Sequence, residues 1–251
     1  MHIRVGRLAV PVLVIGFAVA VTACSSAPET VKPAVSATKS ASATASGSPA
    51  ASPAASSSAA ASSSAAPVPA GYTRVGGAAQ GISIAAPTSW VAINLAKQSI
   101  QSAANSADLK GISSATLVQD MTSLQKLHGI IVFDVTSAVD GHFARNLNAY
   151  CSTSGVTEAG AAAVPMVKEE AAAEFQNLDA THITQRALDI GGVPGIETSY
   201  QVYSSSEGTI YGSQLEVLPA ADKICFVTVT VGKGESVGDV VNTAAATAQF
   251  P

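Results

Sequence analysis

Histidine, cysteine and tryptophan are scarce in this sequence, at four, three and one of 251 residues. His128, His142 and His182 form neither an H-E-x-x-H pair nor any other metal-ligand spacing, so no zinc site is predicted. The G-x-S-x-G elbow of serine hydrolases is missing, and Ser213 in "YGSQ" reads as an ordinary strand serine. "DGH" at Asp140 lacks the oxygen-rich loop that calcium needs and reads as a turn between strands. Gly191, Gly192 and Gly195 are followed by no helix that would make a phosphate site. Basic residues are also few: from residue 71 onward nine Lys and Arg stand against 16 Asp and Glu, a net charge of −7 that argues against nucleic acid. No catalytic residue, cofactor or metal is expected.

Long apolar runs are lacking too. Leu8 to Val21 is uncharged for 14 residues, whereas a membrane-spanning helix needs about 20. With Arg4 and Arg7 before it, the run fits a secretory signal peptide over residues 1–23. Val21-Thr22-Ala23-Cys24 then resembles the bacterial lipobox. That resemblance implies a diacylglyceryl group on the Cys24 thiol and cleavage before it. Each buried CH₂ of the acyl chains contributes about 0.8 kcal/mol, so two or three chains anchor firmly. The expected location is extracytoplasmic, on the outer face of the cell membrane.

Residues 24–70 follow as a disordered tether. From Ser25 to Ala70 only Glu29, Lys32 and Lys39 are charged, no residue is aromatic, and Pro49, Pro53, Pro67 and Pro69 interrupt helix. As a flexible coil these 46 residues span about 35–40 Å. Residues 71–251, 181 in all, suit one folded domain.

Strand signals dominate that domain. "GISIAAP" at Gly81, "GIIVFDVTSA" at Gly129 and "RNLNAYCSTSG" at Arg145 read as strands, followed by four more between Thr181 and Gly232. The short turns at Gly191-Gly192, Glu207-Gly208 and Ala220 to Asp222 require antiparallel neighbours. Helical periodicity appears at Asn94 to Leu127, with a break near Gly111, at Val164 to Leu178, and at Ser236 to Phe250 with Ser236 as N-cap. The fold class is therefore α+β, an αβα sandwich with a central, largely antiparallel sheet.

Cys151 lies on the side of its strand that carries Leu147 and Ala149, and Cys225 on the side of Val227 and Val229. Two inward thiols in an oxidising compartment are expected to form a disulfide. Tyr200, Tyr203 and Tyr211, with Gln201, Ser204 and Gln214 nearby, are candidates for a ligand-binding face, set against ordinary cross-strand pairing. Trp90 is expected to close the sheet against the first helix.

"SIAAPTSW", the Asn-rich strand "FARNLNAYC" and the hairpin "ALDIGGVPGIETSYQVY" ahead of two more strands and a terminal helix resemble the PsbP-like fold. Within it the layout is most similar to LpqN-type lipoproteins of actinobacteria. The resemblance covers residues 81 to 250 and implies a non-enzymatic accessory or binding role in the cell envelope, with no catalytic residue to carry over. The expected partners are the membrane, through the lipidated cysteine, and another envelope protein or a wall or lipid precursor. Two other readings stand beside this one: a carrier of a small apolar or lipid ligand, and a hydrolase with an unrecognised site.

Overall fold

The computed structural model describes residues 66–93, 95, 114–137, 143–205 and 207–251. The signal segment, Cys24, the tether as far as residue 65, the first part of the Asn94 to Leu127 helical region and His142 lie outside the described residues. The first half of the fold contains β1 (Tyr72–Gly77), β2 (Ile82–Pro87), β3 (Val91–Ile93), α1 (Ser114–Lys126), β4 (Ile130–Phe133) and β5 (Asn146–Thr153). The second half contains α2 (Val164–Asn177), β6 (Thr181–Ile190), β7 (Val193–Ser204), β8 (Gly208–Ala220), β9 (Lys223–Val231) and α3 (Gly238–Thr247).

Strands β6 to β9 follow one another through tight turns, so each pairs with its predecessor in antiparallel register. At the first of these turns Gly191 and Gly192 have φ of 59° and 81°, and at the last Asp222 has φ of 58°. That left-handed region is open to glycine and tolerated by aspartate. β9 then pairs with β5, giving a seven-stranded sheet in the order β3-β4-β5-β9-β8-β7-β6, in which every neighbouring pair is antiparallel. β1 and β2 form a separate antiparallel pair.

Side chains alternate between faces along a strand, and the two faces of this sheet are covered differently. Leu147, Ala149, Val227 and Val229 pack beneath Ile82, Ile84 and Ala86 of β2 and beneath Val241, Ala244 and Ala245 of α3. On the opposite face Tyr150, Phe226, Ile196 and Tyr200 pack beneath Met121 and Leu124 of α1 and Val167, Ala171 and Phe175 of α2. The architecture is α+β, a mainly antiparallel sheet with a few helices. Cys151 and Cys225 are direct partners on β5 and β9 and are disulfide-bonded, as their inward placement predicts.

Several boundaries differ from the sequence reading. β4 stops at Phe133 because Asp134 turns the chain: its Oδ1 accepts from the Thr136 N–H at 3.0 Å and the Thr136 hydroxyl at 2.6 Å, and its Oδ2 pairs with Arg145. α3 begins at Gly238 with Val237 at the N-cap, and the Ser236 hydroxyl accepts the Gly238 N–H at 3.2 Å from just outside the helix. Trp90 is half-buried against the β2 and α3 cluster, not against α1. β1 and the three-residue edge strand β3 escape the sequence reading, since most of their residues are exposed or half-exposed and only Ile93 is buried.

The two ends of the domain meet at β2. Ser83 and Gln249 exchange backbone hydrogen bonds of 2.9 and 2.8 Å, Arg74 Nη1 donates to the Thr247 carbonyl at 3.0 Å, and the Ala66 N–H reaches the Ala246 carbonyl at 3.2 Å.

Candidate functional site

The three tyrosines of the expected binding face do not share a face. Tyr200 and Tyr203 are an odd number of residues apart on β7, so the pleat directs them to opposite sides. Tyr200 points under α2, is 2% exposed, and packs against Phe175 with ring centroids 4.3 Å apart and planes tilted by 31°. Burial pushes its phenol pKa up, and the nearby charge of Glu174 adds to the shift. Its register partner is Gly212, and the absence of a side chain there gives the ring its space.

Tyr203 and Tyr211 remain together on the other face. Tyr203 pairs with Thr209 and Tyr211 with Gln201, which makes the two tyrosines diagonal neighbours across β7 and β8. Tyr203 is 71% exposed, an unusual setting for a large ring. Tyr211 lines a shallow cleft of about 260 Å³ with Gln201, Ser199, His182, Glu235 and Ser236, where β6 to β8 project past the start of α3. Glu235 is fixed there: its Oε2 accepts the Gly232 N–H at 3.1 Å and its Oε1 lies 3.6 Å from Arg145 Nε. His182 Nδ1 lies 3.2 Å from the Thr181 hydroxyl. Aromatic edges beside a carboxamide, hydroxyls, an imidazole and a carboxylate suit recognition by stacking and hydrogen bonding.

Ser213 is not part of this cleft. It is fully buried and donates to Glu197 Oε1 at 2.6 Å, while Arg186 Nε donates to Glu197 Oε2 at 2.5 Å. Arg186 Nη2 continues to Asn242 of α3 at 3.0 Å, so the chain of contacts fastens the β6 to β8 strands to the helix. His128 follows α1 with φ of 53° and borders a second cleft of about 470 Å³, whose apolar lining includes Val75, Ala92, Ile93, Leu95 and Ile130. Among the described residues no group of three or more His, Cys, Asp and Glu side chains is placed to hold a metal ion.

The face beneath α1 and α2 carries Gln214, which the sequence reading sets beside the tyrosines, and polar residues that it leaves out of any site: Asn146, Asn148, Glu216, Thr228 and Thr230, all buried. Their signal was present in the alternation of "RNLNAYC", whose Asn side looks like an outward face until both sides of the sheet are known to be covered. Glu216 is the extreme case. Burial pushes its carboxyl pKa up to about 8, helped by the charges of Glu174 and Glu170 and opposed by the hydrogen bond from Gln214.

The chain matches no family model and no curated protein. Among solved structures it is similar to a crystal structure from Bacteroides thetaiotaomicron VPI-5482, at 9% identity over 72% of this chain and 49% of that one, with a TM-score of 0.41. It is also similar to the solution structure of cyanobacterial PsbP (CyanoP) from Synechocystis sp. PCC 6803, at 12% identity over 72% of this chain and 94% of that one, with a TM-score of 0.43. The chain spans about half the length of the Bacteroides protein.

Proposed function

We propose that this chain is a non-catalytic binding module, held on the outer face of the cell membrane by a lipidated Cys24 and engaging its partner through the Tyr203 and Tyr211 face. In this reading the domain is a PsbP-like αβα sandwich of the LpqN-type lipoproteins of actinobacteria. The partner is another envelope protein or a wall or lipid precursor. The observation that carries the location is the disulfide: Cys151 and Cys225 are bonded as paired neighbours in the sheet, and such bonds persist outside the reducing cytoplasm. It agrees with the Arg4 to Cys24 signal and lipobox pattern. The exposed ring of Tyr203 beside the Tyr211 cleft supports the binding role.

The test has two arms in the native host. Wild-type protein partitions with membranes and its Cys24 peptide carries acyl mass, whereas Cys24→Ser appears in the soluble fraction. A photo-crosslinker at position 203 captures one envelope protein or precursor, and capture is lost with Tyr211→Ala. An unacylated Cys24 in membrane-free protein removes the anchor, and no enrichment over an unmodified control removes the binding face.

The carrier reading is favoured by the cleft of about 470 Å³ beside Ile93 and Ile130, whose mixed lining sets these apolar side chains beside Gln80, Gln125 and His128 and suits an amphipathic ligand. Native mass spectrometry of the domain after exposure to host lipid extract decides it: a retained lipid supports a carrier, and an empty domain excludes one.

A further inference from the structure

The sheet face under α1 and α2 has a polar band through its middle. In register across the strands, Asn148 of β5, Thr228 of β9, Gln214 of β8 and Thr198 of β7 form one row, and Asn146, Thr230, Gly212 and Tyr200 form the next. All seven side chains are at least 98% buried. Part of the band satisfies itself. The Thr228 hydroxyl donates to Gln214 Oε1 at 3.0 Å, Gln214 Nε2 donates to Glu216 Oε1 at 3.1 Å, Gln185 Nε2 donates to the Thr198 hydroxyl at 3.3 Å, and Asn146 Nδ2 donates to the Ala144 carbonyl at 3.1 Å.

The rest is unanswered. Among the described residues, Asn148 Oδ1 and Nδ2, Asn146 Oδ1, Thr230 Oγ1 and the Tyr200 hydroxyl have no hydrogen-bond partner. These groups are neighbours. Asn146 and Asn148 project from one strand, Thr230 stands opposite Asn146, and the Tyr200 ring lies across Gly212, whose partner on β9 is Thr230. With strands about 4.8 Å apart, the patch measures about 10 Å across. Buried polar groups in native proteins are almost always paired, so several orphans in one patch call for an occupant. Two carboxamides and two hydroxyls offer donors and acceptors together and no formal charge.

We propose that this patch is a binding site for a small uncharged polyol, reached when the cover formed by α1 and α2 lifts from the sheet. The lifting is required because the orphan atoms are closed off from solvent in the described form. The site is on the opposite side of the sheet from Tyr203 and Tyr211 and does not depend on the anchor, so its fate is separate from that of the function proposed above.

The test uses the full chain with N-acetylglucosamine, myo-inositol and glucose as probes and glucose 6-phosphate as a charged control, followed by calorimetry and amide exchange. At least one neutral probe is expected to bind, more tightly than the phosphate, with changed exchange in α1 and α2. Thr230→Val, close to isosteric, is expected to weaken that probe at least tenfold. Asn148→Leu is expected to do the same while keeping or raising the melting temperature, because it replaces an unpaired amide with an apolar group. A band that serves only as a framework gives the reverse, a lowered melting temperature with no ligand effect. Absence of binding by all neutral probes at millimolar concentration, or undiminished binding by Thr230→Val, overturns the proposal. Ordered waters filling the patch with no probe bound overturn it equally.

Discussion

The ring of Tyr200 lies across Gly212 so closely that a Cβ on the glycine would sit 2.6 Å from the ring Cε2 atom. The two are register partners on β7 and β8, and the far side of the ring is held by Phe175 of α2. Gly212→Ala therefore forces either the ring or the helix to move. The expected cost is about 2–3 kcal/mol in urea denaturation. Tyr200→Leu in the same chain is expected to recover part of it, giving a coupling of about 1 kcal/mol or more in a double-mutant cycle.

The Cys151–Cys225 bond closes a loop of 74 residues. In the chain-entropy account such a closure is worth about 4 kcal/mol. Cys151→Ser with Cys225→Ser is expected to lower unfolding stability by roughly that amount. Thiol titration of the unfolded, unreduced domain is expected to find neither sulfur free.

Glu216 makes the domain less stable as the solution becomes more alkaline. Its folded pKa is raised to about 8 from an ordinary 4.5, so the folded state holds a proton that the unfolded state has released between those values. The stabilisation from protonation is fully present below about 4.5, declines as pH rises, and is gone above about 8. The fall is on the order of 5 kcal/mol if this group acts alone. Glu216→Gln keeps an oxygen to accept from Gln214 and is expected to flatten the profile across that window, as read from melting temperatures taken at intervals of pH.

Arg186 and Glu197 contribute unequally to the contact that fastens the strands to α3. The side chain of Arg186 is 59% exposed and that of Glu197 only 6%. Arg186→Ala is expected to cost about 1 kcal/mol or less. Glu197→Ala strands the buried Ser213 hydroxyl, whereas the exposed guanidinium keeps water and Asn242, and is expected to cost about 2–3 kcal/mol in the same denaturation assay.

Much of the fold is legible because turn chemistry and alternation act locally. The three turns between β6 and β9 fall where Gly191-Gly192, Glu207-Gly208 and Asp222 mark them, and those turns compel the antiparallel order. The inward side of β5 could be read from Leu147, Ala149 and Cys151. Its Asn side could not, because what covers it comes from α1 and α2, separate elements on either side of it in the chain. Tyr200 falls outside the face of Tyr203 and Tyr211 for a simpler reason: an even spacing is needed for two residues of one strand to share a side, and Tyr200 and Tyr203 lack it. The joining of β2 to Gln249 depends on a contact across almost the whole domain, which no window of sequence reports.

That last joining governs when the domain can be finished. Apart from the pairing of β9 with β5, the β6 to β9 meander has its partners within one stretch of about fifty residues, so it is the part best placed to form early. The opening hairpin must wait. Its second strand rests on a helix made from the final residues and exchanges backbone bonds with Gln249, two residues from the terminus. Until those residues are in place, the outer side of Ile82 and Ile84 lacks its helical cover and Ser83 lacks its backbone partner, so α3 and Gln249 are the elements that seal the molecule.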